Sequence, residues 1–189
     1  MRKLLKLACL IALAWSASMS VSAATATGPC RLIDPSTCSD AKALARANGF
    51  VQALSHFAGD AKASYFSTDR SVSSQALSAF GGTSENMLVL ADKRYLFSAC
   101  PSRDCGGSAA AIVLNEFGQI EGMAFSSFHC ETGCEDFRHL DIYMRKDGQD
   151  DAVLAALKAW GTSDNLRKTV SRPEADEGID QRMDVHLLP

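Results

Sequence analysis

Residues 94–125 read RYLFSACPSRDCGGSAAAIVLNEFGQIEGMAF. Apolar residues gather at 94–98, 109–115 and, continuing past the quoted stretch, 120–128. Runs this short, bounded by Gly, Pro and Asp, read as strands. The last two are joined around Phe117, Gly118 and Gln119, the spacing of a hairpin, and 87–90 stands off residue 94 by Ala91, Asp92 and Lys93 in the same way. A further strand at 140–144 ends before the turn Lys146, Asp147, Gly148. Between the strands at 94–98 and 109–115 stand Cys100 and Cys105, which enclose Pro101, Ser102, Arg103 and Asp104 and are followed by Gly106 and Gly107. A ring that small has no interior, so a disulfide there makes a stiff projection displaying one guanidinium and one carboxylate.

Working outward, the periodicity changes. Asp40 is placed to N-cap a helix running to about residue 56, with Ala41, Leu44, Ala45, Val51 and Leu54 on one face. A shorter helix over 71–80 meets Gly81 and Gly82. Asp150 or Asp151 caps a helix through Trp160, with Val153, Leu154, Leu157 and Trp160 in a stripe and Gly161 just beyond. The order is helix, meander, helix, without the alternation of strand and helix that builds a parallel sheet. It predicts an α+β fold: an antiparallel sheet of about five strands with the helices packed on one side. Residues 162–189 read as a polar tail, mobile in part, in which Arg172, Glu174, Asp176, Glu177, Asp180 and Arg182 crowd together while Val185, Leu187 and Leu188 offer a docking point.

The start of the chain reads as an address. Arg2, Lys3 and Lys6 precede an apolar run over 7–14, and small residues lead to Val21, Ser22 and Ala23, an A-x-A-like cleavage signal. A second cut is available after Ala26. The run is shorter than the roughly 18–20 residues a membrane span needs, so 1–23 is read as a signal peptide and the protein as exported, with no membrane span. Cys9 leaves with it. Of the seven cysteines, the six that remain in an oxidising compartment are an even set. Fifteen pairings are possible, and proximity favours Cys30 with Cys38, Cys100 with Cys105, and Cys130 with Cys134. Residues 24–39 then form a disulfide-tethered N-terminal loop. The chain is 189 residues long with a formal net charge of −3, and it becomes more acidic once the three basic residues of the signal are lost. One domain fits that length. Nucleic acid is a poor partner for such a charge, and a basic protein a good one.

The stretch 94–125 resembles the periplasmic inhibitors of vertebrate lysozyme, the Ivy family. Members carry a strand, a bridged loop of pattern C-x-P-H-D-C followed by glycine, and a hairpin ending in a small residue and phenylalanine. The likeness covers roughly 84–161, so 40–161 is expected to be an Ivy-like inhibitor domain. It implies an α+β fold, no cofactor, frequent homodimers, a periplasmic location, and a loop that plugs the active-site cleft of c-type lysozyme. Cys100, Asp104, Cys105 and Gly106 stand at the family's positions, whereas Arg103 replaces the family's histidine and the proline has moved to Pro101. Cys100, Pro101, Ser102, Arg103, Asp104, Cys105 and Gly106 are thus the candidate inhibitory loop. Two other readings stay open: a module restraining endogenous peptidoglycan lytic transglycosylases, and an envelope domain in which the ring is only a structural staple and Arg103 a solvated neighbour of Asp104.

No catalytic motif points to an enzyme: G-x-S-x-G, H-E-x-x-H, a Gly-rich phosphate loop and C-x-x-C are all absent from the sequence. His129, Cys130, Cys134 and His139 form the one metal-like group. Without zinc-finger spacing it reads as a disulfide loop with two ordinary histidines, so no metal is expected. Glu131, Glu135 and Asp136 make that second loop acidic and offer an auxiliary contact for a basic target.

Overall fold

The computed structural model describes residues 28–103 and 105–189. The signal segment 1–23, both cleavage positions and Asp104 lie outside the described residues. In chain order the elements are α1 (Ala41–Ala45), α2 (Phe50–Ala58), β1 (Lys62–Ala63), β2 (Arg70–Ser71), α3 (Val72–Phe80), β3 (Thr83–Ser84), β4 (Leu88–Val89), β5 (Tyr95–Cys100), β6 (Ala109–Leu114), β7 (Ile120–Ser127), β8 (His139–Arg145), α4 (Asp151–Gly161), α5 (Asp164–Arg167) and β9 (Met183–Leu188). The α+β class is as expected. Among the described residues the disulfides are Cys30–Cys38, Cys100–Cys105 and Cys130–Cys134.

The sheet is larger than five strands. Among the described residues it has seven, in the order β3-β5-β6-β7-β8-β9, with β4 also on β5. The pairs from β3 to β8 are antiparallel, and β9 lies parallel to β8, Leu140 facing Met183 and Arg145 facing Leu188. The segment read as a polar tail therefore supplies an edge strand. In it Met183, Val185 and Leu187 alternate with Asp184 and His186, but as an edge strand it leaves Val185 and Leu187 exposed.

Helices cover both faces, which corrects the expectation of one. Strand β6, AAAIVL, is buried at every position, and neither set of alternate residues faces water. Phe97, Ala110, Ile112, Leu114, Met123, Phe125 and Tyr143 meet Leu44, Phe50, Leu54, Ala76 and Phe80 of α1–α3. The alternate residues Leu96, Ala111, Val113, Ala124, Leu140, Ile142 and Met144 meet Val153, Leu157, Trp160 and Leu166 of α4 and α5. A large aliphatic side chain buried this way contributes roughly 1.5–3 kcal/mol.

Local signals set the helix ends. The Asp40 carboxylate accepts from the Ala43 amide, Ser71 from Ser74, and Asp150 from Ala152 and Val153. The helix expected through residue 56 is broken between α1 and α2, where Gly49 has φ +85° and serves as the cap of the second piece. Arg94, at the root of β5, donates to Glu121 at 2.6 Å and to Asp150 at 2.5 Å, tying two strands to the cap of α4.

Gly161 is the last residue of α4 rather than the residue beyond it. A Cβ there would run into Cγ and both Cδ atoms of Leu140, which is fully buried. Gly161→Ala is expected to lower the unfolding free energy by about 1–3 kcal/mol through overpacking, outweighing the gain in helix propensity of up to ~1 kcal/mol. Urea denaturation of the two proteins checks this.

Candidate functional site

The ring leaves the sheet at the end of β5, where Cys100 is nearly buried and paired opposite Thr83 of β3. Ser102 and Arg103 are exposed, Pro101, Cys105 and Gly106 half-buried, and Gly107 buried. Beneath the bridge a cavity of about 140 Å³ is lined by Cys100, Cys105, Trp160, Leu166 and Thr169. The returning limb is held by specific bonds. The Ser108 amide donates to the Cys105 carbonyl at 2.7 Å, and the Gly107 amide to the Thr169 hydroxyl at 3.0 Å. Gly107 has φ +87°, and a Cβ on it would lie 3.0 Å from Val170 Cγ2 and 3.3 Å from Arg138 Cδ. Only glycine meets both demands.

Behind that limb lies a buried charge. The side chain of Arg138 has no exposure and that of Asp176 5%. Arg138 Nε donates to Asp176 at 2.6 Å, and its Nη2 is ion-paired with the same carboxylate. Nη1 donates to the Ser126 hydroxyl and the Gly161 carbonyl, both at 2.9 Å. Ser126 in turn donates to the Gly107 carbonyl. Arg167 closes the carboxylate from outside at 2.8 Å. Burial lowers the Arg138 pKa and the Asp176 pairing opposes it. A guanidinium stays protonated across the working range regardless.

A second constellation adds Asp141, His186, Tyr65 and Tyr143 to the two histidines singled out in the sequence. It lines an open cavity of about 650 Å³ on the α1–α3 face. At its floor Asp141 on β8 is 3% exposed and accepts from His129 Nε2 and His186 Nε2, each at 2.7 Å. Because a carboxylate only accepts, both Nε2 atoms carry protons. Burial alone would raise Asp141, but the two imidazoles outweigh it and leave its pKa at about 2. The bond to Asp141 raises His129, against burial, whereas burial and the neighbouring His129 lower His139. Tyr65 and Tyr143 share a hydroxyl hydrogen bond of 2.5 Å, and burial pushes Tyr143 up to about 12. Tyr65 reaches the cavity because Gln75 of α3 accepts from the amides of Tyr65, Phe66 and Ser67 and donates to Ala63.

The structure thus brings Cys100, Cys105, Pro101, Ser102, Arg103 and Gly106 into one projecting loop. The four-residue group His129, Cys130, Cys134, His139 does not act as one unit: the cysteines are bonded to each other, while the rings of His129 and His139 stack at 4.2 Å. Glu135 joins the histidines, and Asp136 pairs with Arg172. Asp141 had a visible signal, an acidic residue at an inward position of the run Leu140, Asp141, Ile142, Tyr143, Met144. Asp176 and His186 had none, since their roles arise from long-range pairing. Among the described residues no helix is long and apolar enough to cross a membrane. Compared with protein-family models, curated proteins and solved structures, the chain finds no match in any of the three.

Arg138→Met leaves Asp176 buried opposite only Arg167 and is expected to cost about 3–5 kcal/mol, while replacing both Arg138 and Asp176 with apolar residues recovers much of it. Denaturant unfolding of the single and double variants measures the difference. The Asp141 clasp has its own signature. Its carboxylate is depressed, so that contribution is present above about pH 3.9 and lost as pH falls towards 2; His129 is raised, so its contribution is present below about pH 6.5 and lost as pH rises through the raised value. Asp141→Asn is therefore expected to cost about 1–2 kcal/mol between roughly pH 4 and 6.5 and less on either side, read from unfolding curves across pH.

Proposed function

We propose that this protein is an exported, periplasmic inhibitor of c-type lysozyme that seats the Cys100–Cys105 loop in the enzyme's active-site cleft. The observation that carries the reading is the ring itself: Arg103 stands exposed at its tip, while β5 and the Gly107 to Thr169 bond fix its two roots. The likeness of 94–125 to the Ivy family points to the same loop.

Lysozyme chemistry needs one protonated and one ionised carboxyl facing the scissile bond, so a cationic donor placed between them blocks substrate and reaction together. The family's histidine does this with two ring nitrogens. Arg103 offers five donors in a planar fork and a permanent charge, which suits a pair of carboxyls. Pro101 and the bridge restrict the loop before it binds, and that lowers the ordering cost of association. The acidic net charge favours encounter with a basic enzyme.

Titrating the purified protein into lysozymes of several classes, with a lytic transglycosylase alongside, and following cell-wall lysis tests the target. Inhibition of the c-type enzyme is expected; inhibition of the transglycosylase alone transfers the loop to the cell's own enzymes. Arg103→Ala is expected to weaken inhibition by on the order of 2–5 kcal/mol, because it strands a buried acidic pair, whereas Arg103→His retains much of the binding. Equal inhibition by wild type and the alanine variant rejects the plug.

A further inference from the structure

Two of the four histidines, His129 and His186, line the open cavity described above together with Glu135, and His129 and His139 both meet Glu135 beside it. One ligand atom from each of His129, Glu135 and His139 lies within 4.8 Å of the other two. Glu135 Oε2 is 2.9 Å from His139 Nε2, and Oε1 is 3.6 Å from His129 Nδ1. We propose that His129, Glu135 and His139 form a Zn²⁺ site, with the cavity side left open for water or an incoming ligand. This inference does not depend on the lysozyme reading.

Several independent features favour a metal over a simple ion pair. His129 donates its Nε2 hydrogen to Asp141, so in the neutral ring Nδ1 is the lone-pair nitrogen, and it faces Glu135. That carboxylate–histidine relay is what fixes the tautomer and ring of a metal-ligating histidine. Asp141 is itself held at its other oxygen by His186, so the relay cannot swing away. Glu135 is brought back over the histidines by the Cys130–Cys134 ring and by its own amide, which donates to the Phe128 carbonyl at 2.7 Å. Thr68 clamps the same ring through the Cys130 and Glu131 carbonyls. His129 adopts φ +45°, a left-handed conformation that a non-glycine residue keeps only where its surroundings enforce it. The neighbouring cysteines are oxidised, so the donor set is two imidazoles and a carboxylate. Such a set with an open position suits Zn²⁺, with Cu²⁺ and Ni²⁺ as the competing ions. Coordination through His139 Nε2 uses the neutral tautomer whose proton sits on Nδ1.

The test is calorimetric titration of ZnCl₂ into the untagged mature protein with its disulfides intact, supported by the visible d–d spectrum of a Co²⁺-loaded sample. One ion per chain is expected, with a melting temperature raised by about 5–10 °C at a hundredfold excess over Kd. Glu135 is half exposed, so Glu135→Gln keeps the fold and is expected to weaken binding at least tenfold, as is His139→Ala. Asp141→Asn weakens it by about 10–100-fold through the relay, and His56→Ala, on α2, leaves it unchanged. Circular dichroism confirms that each variant is folded. Absence of a saturable site in the wild type, or equal binding by Glu135→Gln and wild type, overturns the site.

Discussion

A guanidinium without access to water must be answered by protein on every side, and the answers to Arg138 hold much of this molecule in place. Its Nε reaches Asp176 of the C-terminal segment and its Nη1 the hydroxyl of Ser126 on β7 and the last carbonyl of α4, while Nη2 is ion-paired with Asp176 but has no hydrogen-bond partner of its own among the described residues. Through Ser126 the same network grips the carbonyl of Gly107 and so the returning limb of the bridged loop. Replacing such a pair with well-packed apolar residues is often no worse for stability. What the charge supplies here is position, because a fork with fixed directions allows only one placement of the four segments around it.

The sheet makes that possible by being covered twice. With α1–α3 on one face and α4 and α5 on the other, both candidate sites gather at the end of the sheet where β5 and β7 finish and β6 and β8 begin. The bridged loop emerges where β5 turns into β6. The histidine cluster gathers where β7, β8 and β9 open around the second disulfide ring. Asp141 points to the α1–α3 face and its strand neighbours Leu140 and Ile142 to the opposite one, so a single strand serves a wet cavity and a dry core at once.

Reading the sequence was sufficient where the signal is local. The caps at Asp40 and Asp150, the strands of the meander and all three short cysteine pairs follow from residues a few positions apart. It failed where partners are distant. The parallel pairing of β9 with β8 could not be seen from a charged segment whose alternation is short; the second layer of helices did have a local signal, because β6 is apolar at every position and a strand covered on one face would alternate. At the bridged loop, the members were legible but the roots were not, since Thr169, Ser126 and Arg138 reach Gly107 only in the folded chain. In the cavity, Glu135 was visible as part of an acidic loop, yet its role beside His129 and His139 depends on Asp141 and His186, which three-dimensional pairing alone delivers.

The three disulfides join residues only 8, 5 and 4 positions apart, and this has a consequence for how the molecule is assembled. Rings so local remove little entropy from an unfolded chain, so they can close on a nascent polypeptide that has no sheet. The sheet edge, the Asp176 clasp and His186 all wait for the final strand. Full oxidation is therefore no mark of a finished molecule: thiol chemistry reports the shape of three loops, and the architecture that aims them is decided separately, by the docking of residues 176–188.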